Sequence, residues 1–166
     1  MRPVVIITRI LFPVDFSESS ENLVPFVLTV AERFEAEIHL LYVARRLRYF
    51  TGMHVSPRVV LQFEREIEAG ATKRMGEFKA KHFPDYPNLK SDVIPGVAAE
   101  QIISYCDRQK IDLVIMGTHG RKGADKIIFG SVVERVVQSG AVPVLVINPH
   151  KTAATKIPDH KPVKSA

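Results

Sequence analysis

The stretch whose residue types and spacing can do chemistry is Gly117-x-x-Gly120, nine further residues, then Gly130-Ser131. It begins directly after the apolar run Leu113-Val114-Ile115-Met116 and ends where an amphipathic stretch starts. Glycines at 117 and 120 permit φ > 0 and let backbone N–H groups approach an anion closely. Gly130 is expected to do the same one step before a helix. Ser131 offers a hydroxyl and an amide at that helix start, where the dipole favours negative charge. Two groups of donors, from one loop and one helix terminus, suit a polyphosphate. Turn-making alone would also explain the glycines, but three at these spacings weigh against it. Ser131 can serve as N-cap and phosphate ligand together, because both roles use the same geometry.

Neither common phosphate motif is present. A P-loop needs two glycines bracketing four residues and then Lys-Ser/Thr, which nothing here matches. A dinucleotide fingerprint would follow the first strand, which here ends in Asp15-Phe16-Ser17. Other polar candidates have ordinary alternatives. Asp15, at a strand end, either caps the next helix or faces the ligand. His119 has no Ser or Cys nucleophile indicated as a partner, and His39, His54, His82, His150 and His160 lack metal-ligand spacing. Arg45, Arg46 and Arg48 either help to hold phosphates or belong to a solvated loop. Arg121, Lys122 and Lys126 raise the local positive potential without implying contact.

The elements that must position these residues alternate in type. Ile10 to Asp15 reads as a buried strand, and a helix follows to about Phe34. Leu23, Phe26, Val27, Val30 and Phe34 form its apolar stripe, and Pro25 lies within it. Ile38 to Val43 is a second strand. Ser56-Pro57 opens a helix with Val59, Phe63, Ile67, Ala71, Met75 and Phe78 on one face. Ser91 to Ile94 is a short strand, Ala98 to Cys106 a helix, and Leu113 to Met116 a strand covered on both faces. A helix starting near Ser131 and a last strand, Val142 to Ile147, complete the series. Such alternation predicts a single doubly wound α/β domain, a five-stranded parallel sheet of order 3-2-1-4-5 with helices on both faces. Its ligand site is expected at the carboxyl ends of the strands, where the winding reverses.

Composition bounds the rest. A chain of 166 residues can bury one sizeable core. The single cysteine, Cys106, rules out an intrachain disulfide, fits a reducing compartment, and is expected to be a buried structural thiol. Arg9 interrupts the N-terminal apolar run, and no run approaches the ~20 residues that span a bilayer. A cytoplasmic protein without membrane contact is expected. Of the net charge of +5, three charges lie after Pro149, where four lysines face one aspartate. A solvated basic tail follows, and DNA binding does not.

The glycine spacing, the opening Ile10-Leu11-Phe12-Pro13-Val14-Asp15-Phe16-Ser17 and the closing Ser131-Val132-Val133-Glu134-Arg135-Val136-Val137 with Pro143-Val144-Leu145-Val146 resemble the ATP-binding branch of the universal stress proteins. The resemblance covers residues 9–148, leaving an extension at 1–8 and the tail at 149–166. It implies that Pro13, Val14 and Asp15 border adenine and ribose, with Asp15 accepting from ribose hydroxyls or helping to hold a nucleotide-bound Mg or Mn ion. Val43 would pack on the adenine, and Met116 and Gly117 would lie beneath base and ribose. Gly120, Gly130, Ser131 and Val132 would contact phosphates. Val133 stands where some nucleotide-binding members have threonine. ATP is the implied ligand, with ADP or AMP sharing its base and ribose contacts. A stress-response sensor or switch is the leading expectation. An ATPase or nucleotidyl or phosphoryl transferase is the alternative, although no base or arginine finger is evident. A nucleotide-free scaffold is the third possibility. A homodimer through the Val142–Ile147 edge is expected in each case.

Overall fold

The computed structural model describes residues 4–46, 56–118 and 129–149. Strands and helices alternate as β1 (Arg9–Pro13), α1 (Glu18–Phe34), β2 (Glu37–Ala44), α2 (Pro57–His82), β3 (Leu89–Pro95), α3 (Ala98–Gln109), β4 (Leu113–Gly117), α4 (Ser131–Ser139) and β5 (Val144–Ile147). The five strands are parallel, in the order β3-β2-β1-β4-β5. The expected architecture is therefore the observed one.

Strand parity sorts the apolar side chains into two cores. Ile10 and Phe12 of β1, Ile38 and Leu40 of β2, and Leu113 and Ile115 of β4 pack with α1 and α2. Their neighbours Leu11, Leu41, Val114 and Met116 pack with α3 and α4 on the opposite face. Burial on both faces explains why these strands read as continuous apolar runs. α1 runs through Pro25 without a break, with the Thr29 hydroxyl donating to the Pro25 carbonyl at 2.7 Å.

An imidazole also sits among the apolar side chains. His39 of β2 is fully buried, with Nδ1 3.0 Å from the Tyr105 hydroxyl and Nε2 against the Glu37 carboxylate. Tyr105 donates to Asp92 at 2.6 Å, and Lys90 meets Glu37 at 3.0 Å. Burial draws the imidazole below its ordinary value against the opposing pull of Glu37, and it pushes the Tyr105 phenol up. These bonds tie β2, β3 and α3 together. They satisfy groups that would otherwise be costly to bury.

Two apolar expectations fail. Phe34, at the last turn of α1, is 47% exposed. Val59, Phe63 and Ile67 are exposed on α2, whereas Ala71, Met75 and Phe78 are buried as expected. The physical reason is length. At 26 residues α2 is about 39 Å long, whereas the eight-residue β2 spans about 26 Å, so the sheet cannot cover the whole helix. Among the described residues, no helix is long and apolar enough to cross a membrane.

Candidate functional site

The winding reverses between β1 and β4, because β2 and β3 lie on one side of β1 while β5 lies beyond β4. The β1–β4 pairing comprises Ile10↔Leu113 and Leu11↔Val114, near the start of each strand. Beyond it, Pro13 and Val14 on one side and Met116 and Gly117 on the other end at the same edge of the sheet. This is where a doubly wound fold receives its ligand.

On the β1 flank the chain is tightly held. Pro13 pairs with Leu41, and the Val14 amide donates to the Leu41 carbonyl at 2.9 Å. The Asp15 Oδ1 accepts from the Ser17 amide at 3.0 Å, from the Ser17 hydroxyl, and from the Ser20 hydroxyl at 2.7 Å. Ser20 Oγ in turn accepts the Asp15 amide at 3.1 Å. Asp15 thus organises the turn that leads into α1, whose N-cap is Ser17, and a carboxylate there also complements the helix dipole. Between Asp15 and Ser17, Phe16 adopts φ 59°, a left-handed conformation unusual for an aromatic residue.

On the β4 flank, the Thr118 amide donates to the Ile147 carbonyl and the Gly130 amide donates to the Thr118 carbonyl, each at 2.8 Å. The two ends of the glycine-bearing segment are therefore joined, and α4 begins beside the end of β4. Gly130 is the N-cap of α4 at φ −73°, so it does not use the positive φ that its type permits. Its amide is engaged by Thr118. The amides that an anion at this terminus would meet are those of Ser131 and Val132, which have no intrahelical acceptor by helix geometry. Ser131 is the first helical residue and not the cap. Gly120, His119, Arg121, Lys122 and Lys126 lie outside the described residues, as does Arg48. Arg45 and Arg46 are exposed at the end of β2.

Two of the implied base contacts, Met116 and Val43, share one core with Val132, an implied phosphate contact. Met116 is buried in the α3–α4 core, and Val43 and Val132 pack partly buried against the same cluster. Val14 belongs to the opposite core. Gly117 closes β4, paired with Ile147. Val133 is 5% exposed within the core, so a hydroxyl at that position would point inward. Among the described residues, no group of three or more His, Cys, Asp or Glu side chains stands together as a metal cluster. An open hollow along α2, lined by Arg65, Glu68, Thr72 and Lys73, draws all its described lining from one helix and lies apart from the β1–β4 junction.

Sequence reasoning passed over several residues at this edge. Phe16 stacks on Tyr42 with centroids 4.7 Å apart and meets Phe78 edge-on at 5.9 Å, while the Arg74 guanidinium lies 5.0 Å above its ring. Ser20 and Thr118 also went unnoticed. The only local signal was the adjacency of Phe16 to Asp15, since Tyr42 and Arg74 arrive from distant parts of the chain.

The universal stress protein family profile matches residues 7–148. A universal stress protein of Methanocaldococcus jannaschii is 31% identical over 150 residues, covering 86% of this chain and 83% of the relative. A second from that organism is 29% identical over 151 residues, covering 84% of this chain and 93% of the relative. Among solved structures, the universal stress protein UspA of Lactobacillus plantarum superposes with a TM-score of 0.71 at 25% identity, covering 86% of this chain and 98% of its own. A universal stress protein of Archaeoglobus fulgidus in complex with dAMP shares the fold with a TM-score of 0.53 at 15% identity, covering 86% of this chain and 99% of its own.

Proposed function

The chain belongs to the universal stress protein family, and from that premise we propose that it binds ATP or a related adenine nucleotide as a cytoplasmic stress-response sensor or switch. The observation that carries this reading is the junction at the winding reversal. There the start of α4 is held beside the end of β4 by the Gly130–Thr118 bond of 2.8 Å. Phosphates would meet the Ser131 and Val132 amides, favoured by the dipole of α4. Gly120 would add donors from the loop. The base would rest against Val43 and Met116, with Pro13 and Val14 at its edge and Gly117 beneath the ribose. Asp15 would accept from the ribose. In the alternative arrangement, Asp15 would help to hold a Mg or Mn ion bound to the nucleotide. The neighbour of the same fold in complex with dAMP supports the ligand class.

Ser131→Glu tests this reading with two effects of opposite sign. An acid at the first helical position favours α4, so thermal stability holds or rises. The same charge repels phosphate, and affinity for Mg-ATP by calorimetry is expected to fall by at least about tenfold, or ~1.4 kcal/mol. Unchanged affinity in Ser131→Glu, or no adenine-nucleotide binding by the unaltered chain, removes the proposal. Self-association through β5 belongs to the same reading.

A further inference from the structure

We propose that Phe16 is the positioning residue for Asp15: its ring, packed between Tyr42, Phe78 and Arg74, locks the left-handed turn that aims the carboxylate. The functional consequence rests on the nucleotide reading above, whereas the positioning itself does not.

A phenyl-bearing residue at φ 59° is disfavoured, because its Cβ crowds the backbone. Such a conformation persists only where the surroundings over-determine it. Here two elements do so. Tyr42 comes from β2 and stacks on the ring at an interplanar angle of 24°. Phe78 and Arg74 come from α2, one edge-on at 5.9 Å and the other as a cation 5.0 Å over the ring. The turn has a direct effect on its neighbours. It brings the Ser17 amide and hydroxyl back onto Asp15 Oδ1, where Ser20 also donates. The direction of the carboxylate is therefore set by a residue packed against the core that α1 and α2 share. Glycine would reach this φ without strain but would leave the turn free to open. The aromatic residue combines an unfavourable backbone with an anchor, and so permits one geometry. It also connects the long α2 to the β1 edge of the site.

The test uses the full chain and four variants: Phe16→Ala, Phe16→Gly, Phe16→Tyr and Asp15→Asn. Hydrogen exchange of the Ser17 amide reports the turn, with the Val14 amide as an internal reference. Calorimetry with Mg-ATP reports the consequence. Loss of the ring in Phe16→Ala and Phe16→Gly is expected to speed Ser17 exchange relative to Val14. Both variants should weaken Mg-ATP binding by about tenfold, approaching Asp15→Asn, while Phe16→Tyr stays within about twofold of the unaltered chain. If Phe16→Gly keeps both protection and affinity, the backbone alone suffices and the anchor is refuted. If Phe16→Tyr fails to rescue, the aromatic contact is refuted. An unaltered chain that binds no ATP, yet whose Ser17 protection follows the ring, retains the positioning and loses the nucleotide reading.

Discussion

Gly140 turns through φ 61° and donates its amide to Val137, closing α4 with a left-handed residue. Gly130, at the other end of the same helix, has φ −73°, and a Cβ there would meet only the Thr118 carbonyl at 3.5 Å, an ordinary contact. The two glycines are chemically identical and structurally opposite. Gly140→Ala should cost about 1 kcal/mol in urea unfolding, because alanine resists positive φ. Gly130→Ala should cost about 0.5 kcal/mol, since its φ is unstrained and alanine is only the poorer N-cap type. Equal losses at the two sites would contradict this account. Cys106 allows a second check at this scale. It is 4% exposed, and burial, followed by the nearby Asp107, pushes its thiol up to about 11. A thiol reagent at pH 8 should therefore label the protein only on unfolding, because the thiolate is the reactive form. Prompt labelling of the native chain would show that the helix face is open.

At the scale of elements, β1 is fastened to the start of β4 by one carboxylate. Asp112 accepts from the Thr8 amide at 2.8 Å, the Thr8 hydroxyl at 2.9 Å and the Arg9 amide at 2.9 Å, and its own amide donates to the Arg9 carbonyl. Burial alone would raise this carboxyl, but these donors outweigh burial and hold it below its ordinary value. The unfolded chain then binds the proton first. The stabilisation is complete above the ordinary carboxylate range and is lost as pH falls from that range through the lower folded value. Asp112→Asn should lower stability by about 1 kcal/mol at pH 7, and the gap should close towards pH 3. A gap independent of pH would mean that the charge is irrelevant. The pairing of elements was legible because strand periodicity and helix stripes are local properties. Ala71, Met75 and Phe78 were readable in this way. Val59, Phe63 and Ile67 continue the same face yet stay exposed, since periodicity carries no information about where the sheet beneath a helix stops. The Gly130–Ser131 helix start was readable from type and spacing. Phe16 with Arg74 was not, because cation–ring contacts between residues 58 positions apart leave no spacing signature.

Among the described residues the sheet has two edges, β3 and β5, and they differ in chemistry. β3 spans seven residues, exposes Lys90 and Asp92, and ends in Pro95. Charges and proline of this kind discourage a second chain from pairing. β5 is the four-residue run Val-Leu-Val-Ile, without a charge. Leu145 on it is 38% exposed, and Val137 on the adjoining α4 is 48% exposed. An uncharged edge flanked by apolar side chains is the one suited to a copy of itself. Antiparallel pairing across a two-fold axis would satisfy its backbone and cover both side chains at once. Four residues of ladder are a small contact, so α4 must contribute for the interface to reach the roughly 800 Å² per partner of a stable complex. Light scattering of the full chain should therefore give twice the protomer mass of 18.6 kDa. Leu145→Lys should shift it to the single mass by placing like charges opposite one another across the axis, and Val137→Glu should weaken association without abolishing it. A monomeric unaltered chain, or a dimer indifferent to Leu145→Lys, would rule out β5 as the mating edge.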